Sequence, residues 1–166
     1  MFRDKYISSV IIITILIIAF LFMFYLFKQP IHETGLNYFK GPYKISFVID
    51  GDTIVIDTGE KVRLIGIDAP EIHHPTLPVQ RFGPEAADYL KIFAEKKECM
   101  LEFEPGNTSD IHGRLVAYVY VNNILVNAKM LKLGYAYVYT SFHFKRLNEF
   151  VAIEKQARES KLGLWK

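Results

Sequence analysis

Hydrophobic residues between positions 43 and 69 fall in three short runs that are separated by turn-forming residues. The turns lie at Asp50-Gly51 and Thr58-Gly59, pairs that favour tight hairpins between strands. Two further strand-like runs, "CMLEFE" and "GRLVAYVYVNN", follow after residue 98. Several short strands separated by tight turns predict a barrel or a sandwich.

Other segments have the pattern of helices. One begins at Pro84-Glu85, where a proline in the first turn loses no hydrogen bond, and a short one in "LVNAKMLKLG" ends at Gly134. The last runs from about Arg146 to Leu162, and "GYAYVYTSF" before it predicts an extended segment. The order of strands and helices indicates an α+β domain. Residues expected to face inward are Ala86, Leu90, Phe93 and Ala94 in the first helix and Leu147, Phe150, Val151 and Ala157 in the last.

A longer hydrophobic run, from Ile7 to Phe27, contains no charged residue, and about 20 apolar residues suffice for a helix to cross a membrane. A cleaved signal peptide is the alternative, but its apolar region is usually only ~7–15 residues long and ends at a small-x-small site. We therefore predict a transmembrane anchor at residues 1–28, a linker at 29–42 and one folded domain at 43–166.

The charges around this run predict its orientation. Arg3 and Lys5 precede it, and only Lys28 lies directly at its other end. The positive-inside rule then predicts a single-pass protein with a cytoplasmic N-terminus and an extracytoplasmic domain. Lys40 and Lys44 are close enough to weigh against this orientation.

Composition changes this picture little. A hydrophobic content of 51% is enough for a packed core. Beyond residue 28 the basic and acidic residues are equal in number, so attraction of a polyanion cannot be argued from net charge. The single Cys99 permits no intramolecular disulfide and is expected to be a buried structural thiol.

Carboxylates gather at the ends of the first strands. Asp50 and Asp52 flank the first turn, and Asp68 ends the third strand. Oxygen ligands of this kind suit a hard divalent cation and leave coordination positions for a phosphate. For Asp50 a role in the turn is the favoured interpretation, because Asp-Gly is a frequent turn pair.

Two arginines and a glutamate complete the candidate chemistry. Glu71 follows Pro70 and is placed to orient or deprotonate a water molecule. Arg63 alternates with Val62 and Leu64, so it faces either the mouth of a barrel or solvent. Arg114 follows a glycine that allows the backbone to bend. Arginines beside a metal suit phosphodiester cleavage, in which charge develops on the non-bridging oxygens.

Five motifs carry a resemblance to a known family: "VIDGDTIVI", "VRLIGIDAPE", "FGPEAADYLK", "DIHGRLVAYVY" and "EKQARESKLGLW". In this order and spacing they resemble the staphylococcal nuclease (thermonuclease) family over about residues 44–166. The resemblance implies a five-stranded OB-fold barrel with about three helices. It also implies a calcium-dependent endonuclease that hydrolyses DNA and RNA by 5′ P–O cleavage and leaves 3′-phosphates.

The resemblance also implies roles for individual residues. The calcium ligands fall on Asp52, Asp68 and the backbone carbonyl of Ala69, a position often occupied by threonine in the family. The catalytic residues fall on Arg63, Glu71 and Arg114. The nucleotide-stacking tyrosines fall on Tyr137 and Tyr139, for which a place in the core is an equal alternative.

Two features are left open. Ile111-His112 replaces the Lys-Tyr pair that the resemblance associates with contacts to a terminal phosphate. His73-His74 does not favour zinc, because adjacent histidines usually point apart and no cysteine cluster joins them.

The alternative function is a non-catalytic OB-fold module that binds nucleic acid or protein. The joint presence of Arg63, Glu71 and Arg114 argues against it, and no feature of the sequence indicates a protein partner.

The hydrophobic run generates a prediction about the full-length chain. Because residues 7–27 lack charges and a small-x-small site, the chain should sediment with membranes and resist extraction by salt and alkali. Recovery of a shortened soluble form with a new N-terminus near residue 29 would show cleavage instead.

Overall fold

The computed structural model describes residues 17–21, 38–73, 76 and 78–166. Residues 37–166 form one compact unit. Within it the strands are β1 (Phe39–Asp50), β2 (Thr53–Ile56), β3 (Lys61–Leu64), β4 (Ile67–Asp68), β5 (Glu98–Glu102), β6 (Leu115–Val121), β7 (Ile124–Leu125) and β8 (Tyr137–Val138). The helices are α1 (Gly83–Ala94), α2 (Val126–Lys132) and α3 (Leu147–Glu159), with a 3₁₀ turn at Gly163–Trp165.

Five strands close into a barrel. Neighbours in the order β3-β2-β1-β5-β6 pair antiparallel, and β3 pairs with β6 in parallel to complete the ring. A sixth short strand, β7, extends the sheet beyond β6. The predicted α+β class with a five-stranded barrel is confirmed, and the arrangement is consistent with an OB-fold.

The hairpin between β1 and β2 lies tightly against the rest of the domain because of a glycine. A Cβ atom added at Gly51 would lie 2.6 Å from the Cβ of Ala69 and 2.8 Å from that of Ala86. Only glycine therefore lets the turn approach both the end of β4 and the buried face of α1. This contact brings Asp52 beside Asp68 and Ala69.

The barrel interior and the helices share one hydrophobic core. Its fully buried large side chains include Tyr118, Phe144, Phe150 and Leu90. The Cys99 thiol is buried as expected, and burial raises its pKa to about 11. One sequence expectation is wrong: Val151 is 45% exposed, whereas Phe150 and Ala157 are the buried residues of α3. Phe150 and Ala157 lie seven positions apart on one helical face, and Val151 falls at its edge.

Two boundaries differ from expectation. Strand β1 begins at Phe39, so residues 39–42 belong to the barrel and not to a linker. Helix α3 ends at Glu159, and the chain then turns at Lys161, whose φ is 51°.

Little of the predicted anchor lies within the described residues. Residues 17–21 are helical, and the rest of Ile7–Phe27 lies outside the description. Among the described residues, no helix combines the length and hydrophobicity needed to cross a membrane.

Asn127 joins helix α2 to the barrel. Its fully buried side chain accepts a hydrogen bond from the backbone N–H of Val119 at 2.9 Å. Its amide donates to the carbonyls of Ile65 at 2.9 Å and Ala117 at 3.4 Å. One side chain thus links α2, β6 and the segment that follows β3.

We predict that Asn127→Leu destabilises the domain by about 2–5 kcal/mol, because buried backbone groups of Val119 and Ile65 lose their partner at ~1–3 kcal/mol each. Chemical denaturation measures the change. Asn148→Leu, on the exposed face of α3, is the control and should stay within about 0.5 kcal/mol of the parent. Equal stability of the two variants would contradict the linking role.

Candidate active site

A cavity of about 590 Å³ opens at the side of the barrel where β3 and β6 meet. Its walls carry both predicted catalytic arginines, Arg63 and Arg114, together with Asp68 and Tyr139. The parallel pairing places Val62 opposite Leu115. Since Arg114 immediately precedes Leu115, the two arginines reach one cavity from neighbouring strands.

Arg63 bridges two carboxylates. One terminal nitrogen of its guanidinium contacts the buried Asp52 Oδ2, and the other donates to Asp68 Oδ1 at 2.7 Å. Asp52 is only 3% exposed, whereas the side chain of Asp68 is 48% exposed. Arg63 therefore links a buried carboxylate to a half-exposed one.

Asp52 has further partners that fix its carboxylate. Oδ2 accepts the backbone N–H of Ala69 at 2.7 Å, and Oδ1 accepts the hydroxyl of Thr53 at 2.9 Å. These two hydrogen bonds come from the first residue of β2 and from the residue after β4, and they satisfy the buried charge of Asp52. Burial raises the pKa of Asp68, contact with Arg63 opposes this effect, and the charge of Asp52 adds to the rise.

Asp50 is a third carboxylate in this region, next to Asp52. Its Oδ1 accepts the backbone N–H of Asp52 at 3.0 Å, which is the turn role favoured from the sequence. Burial and the neighbouring negative charge of Asp52 raise the pKa of Asp50 to about 7, with a smaller contribution from Glu71. The turn residue is therefore also part of the acidic cluster.

Glu71 lies near the cluster but does not line the cavity. Its backbone is held by Gln80, whose side-chain oxygen accepts the N–H of Glu71 at 3.1 Å. The Gln80 N–H donates to the carbonyl of Glu71 at 2.9 Å. These bonds tie Glu71 to Gln80. His73 is exposed, and His74 lies outside the described residues.

Arg114 lies at the end of a tight turn. Gly113 has a φ of 74° and donates its N–H to the carbonyl of Asp110 at 3.1 Å, so the bend expected before the arginine is present. The side chain of Asp110 accepts Arg114 Nε at 2.7 Å. Ile111 and His112 at the tip are exposed and line the cavity rim.

The two candidate tyrosines occupy different surroundings. Tyr139 lines the cavity and packs against Phe142 with ring centroids 5.4 Å apart. Tyr137 is not part of the cavity wall; its ring meets Trp165 edge-on at 5.2 Å. Substrate contact by both residues stays a prediction, and only Tyr139 shares the cavity with the arginines.

The chemistry of the donor set fits a hard divalent cation. Asp52 and Asp68 bring carboxylate oxygens to a single guanidinium, and the backbone N–H of Ala69 donates to Asp52. Carboxylate and backbone carbonyl oxygens are the ligands that calcium prefers. Among the described residues, no three His, Cys, Asp or Glu side chains form a metal-binding group. A set of two carboxylates and one carbonyl does not require such a group.

Sequence reasoning assigned no role to three residues of this region. Phe142 and His143 line the cavity beside Tyr139. Phe142 ends the segment predicted to be extended and His143 follows it, and nothing in the pattern signals that the chain folds back here. Asp110 begins the turn before Arg114, and an aspartate at the start of a turn is a signal that the sequence does contain.

The chain matches a known protein family. The family described as staphylococcal nuclease homologues matches residues 61–166. The chain belongs to this family. It is 33% identical to the thermonuclease of Staphylococcus hyicus over 166 residues, which covers 97% of this chain and 98% of that protein.

Two more relatives extend the comparison within the nuclease family. The thermonuclease of Staphylococcus intermedius is 32% identical over 167 residues, covering 97% of this chain and 98% of that protein. Endonuclease YncB of Bacillus subtilis (strain 168) is 40% identical over 150 residues, covering 84% of this chain and 71% of that protein. Nuclease relatives along nearly the whole chain support phosphodiester hydrolysis as its chemistry.

Proposed function

We propose that this protein is a calcium-dependent endonuclease that hydrolyses phosphodiester bonds in DNA and RNA. The observation that carries the proposal is the convergence of Arg63 and Arg114 on one cavity that also holds Asp68. Two guanidiniums facing a half-exposed carboxylate suit a phosphate that must be both bound and activated. Membership of the staphylococcal nuclease family supports this assignment.

Each side chain has a role that its surroundings support. Asp52, Asp68 and the carbonyl of Ala69 would hold calcium, which supplies positive charge to a phosphate oxygen. Arg63 now pairs with these carboxylates. Its guanidinium also lines the cavity, where it would donate to the phosphate. Arg114 donates to the same group, and both stabilise charge that develops during attack.

Glu71 orients or deprotonates the attacking water. It lies close enough to the acidic cluster to affect the charge of Asp50, and Gln80 holds its backbone. The family resemblance supports cleavage of the 5′ P–O bond, which leaves 3′-phosphate products. Tyr139 supports nucleotide binding through its exposed ring at the cavity wall.

The proposal includes attachment to a membrane through residues 7–27, with the domain outside the cytoplasm. Its support is the charge-free hydrophobic run and the basic residues that precede it. A tethered nuclease would act on nucleic acid at the extracytoplasmic face of the membrane.

Metal binding is tested first, by thermal unfolding and then by cleavage. We expect calcium to raise the thermal unfolding temperature of the parent, because a ligand of the folded state stabilises it. Asp52→Ala and Asp68→Ala should each shift this dependence to higher calcium, and cleavage of single-stranded DNA should partly recover as calcium is raised. Asp57→Ala, at an exposed position outside the cavity, should respond like the parent.

Unchanged calcium dependence in either cavity variant would remove that residue from the ligand set. Cleavage by the parent that is insensitive to chelator would remove calcium from the proposal.

The arginines are tested by substitutions that retain charge. Arg63→Lys and Arg114→Lys should each lower turnover of a defined oligonucleotide by ~10²–10³, because lysine lacks the planar fork that donates to two oxygens. Arg158→Lys is the matched control, since Arg158 is ion-paired with Glu154 in α3 and lies outside the cavity. Thermal unfolding of each variant separates lost chemistry from lost folding. A folded Arg63→Lys variant with normal turnover would show that this arginine is structural.

A further inference from the structure

The carboxylate of Asp110 divides its two oxygens between different tasks. Oδ1 accepts the backbone N–H groups of His112 at 2.9 Å and Arg114 at 3.0 Å. Oδ2 accepts the side-chain Nε–H of Arg114 at 2.7 Å. The first oxygen shapes the turn, and the second contacts the guanidinium that the turn presents.

This division determines which nitrogens of Arg114 remain available. Nε is engaged, while the terminal nitrogens have no hydrogen-bond partner among the residues that the structure describes. A guanidinium donates to two phosphate oxygens through a pair of its N–H groups. Because Asp110 holds Nε, the terminal nitrogens remain as an oriented pair of donors on a side chain that lines the cavity.

The pair is held more firmly than an exposed surface ion pair. The side chains of Asp110 and Arg114 are only 20% and 28% exposed, and the turn fixes both backbones. Burial raises the pKa of Asp110, but hydrogen bonds from the Arg114 side chain and from the backbone outweigh it and lower that pKa overall. The contact with Arg114 therefore favours the anionic form of Asp110.

We infer that Asp110 is a positioning residue for Arg114, holding Nε so that the terminal nitrogens face the phosphate. This inference rests on the proposed nuclease function. Asp110 does not touch the substrate in this role. Its contribution passes entirely through the arginine, which distinguishes it from a residue that only stabilises the turn.

Asp110→Asn separates the two tasks. The remaining side-chain oxygen stays with the two backbone N–H groups, because an amide nitrogen cannot accept from them. The NH₂ group then faces Nε–H, donor against donor. Asp110→Ser is a second variant, because its hydroxyl caps a turn and lacks a carboxylate oxygen for Nε.

The experiment measures kcat and KM of the full chain on a defined single-stranded oligonucleotide in calcium. Both Asp110 variants should lose roughly 10–100-fold in kcat with little change in KM, since the fixed guanidinium acts mainly in the transition state. In an Arg114→Ala background the same substitutions should have no further effect. Glu95→Gln, which alters another carboxylate that accepts a backbone N–H, should leave kcat unchanged.

The outcomes are distinct. Normal kcat in the Asp110 variants, or an equal loss with and without Arg114, would overturn the positioning role while the parent still cleaves. A parent that cleaves no nucleic acid would overturn the proposed function and the positioning role together.

Discussion

The parallel pairing of β3 with β6 is the contact on which the site depends. It closes the barrel between segments far apart in sequence and sets Val62 beside Leu115. Arg63 then lies within β3, and Arg114 lies one residue before β6. A slip of one residue along this pairing would turn each side chain to the opposite face of the sheet. The strand pairing that closes the barrel therefore also brings the two arginines together.

Burial of charge is the cost of this arrangement. Asp50, Asp52 and Asp68 lie together, and burial with mutual repulsion raises the pKa of Asp50 to about 7. Arg63 offsets part of this repulsion by pairing with two of the three. A buried ion pair seldom adds net stability over an apolar core of the same volume. Stability of the fold therefore does not explain the cluster.

The sequence predicted local structure well and long-range contacts poorly. The turn at Asp50-Gly51 was evident from its residues, whereas its contact with Ala69 and Ala86 depends on the space left by Gly51 in three dimensions. Phe142 ends a run that was predicted to be extended. The chain returns to the cavity because the ring of Phe144 packs against Gly66. A Cβ atom on Gly66 would lie only 2.5 Å from that ring. Arg63 and Arg114 were paired through family resemblance, since no periodicity links positions so distant.

In the turn at residues 110–114, some residues determine the shape of the backbone and others do not. Its shape depends on the carboxylate of Asp110, the positive φ of Gly113 and the backbone bonds between them. Ile111, at 96% exposure, and the exposed side chain of His112 are not required for that shape. Because they line the cavity rim, the residues at these two positions can change contacts to a nucleotide without moving Arg114. The departure from the Lys-Tyr pair of the best-known family member would therefore affect contacts to a substrate in the proposed function and leave Arg114 in place.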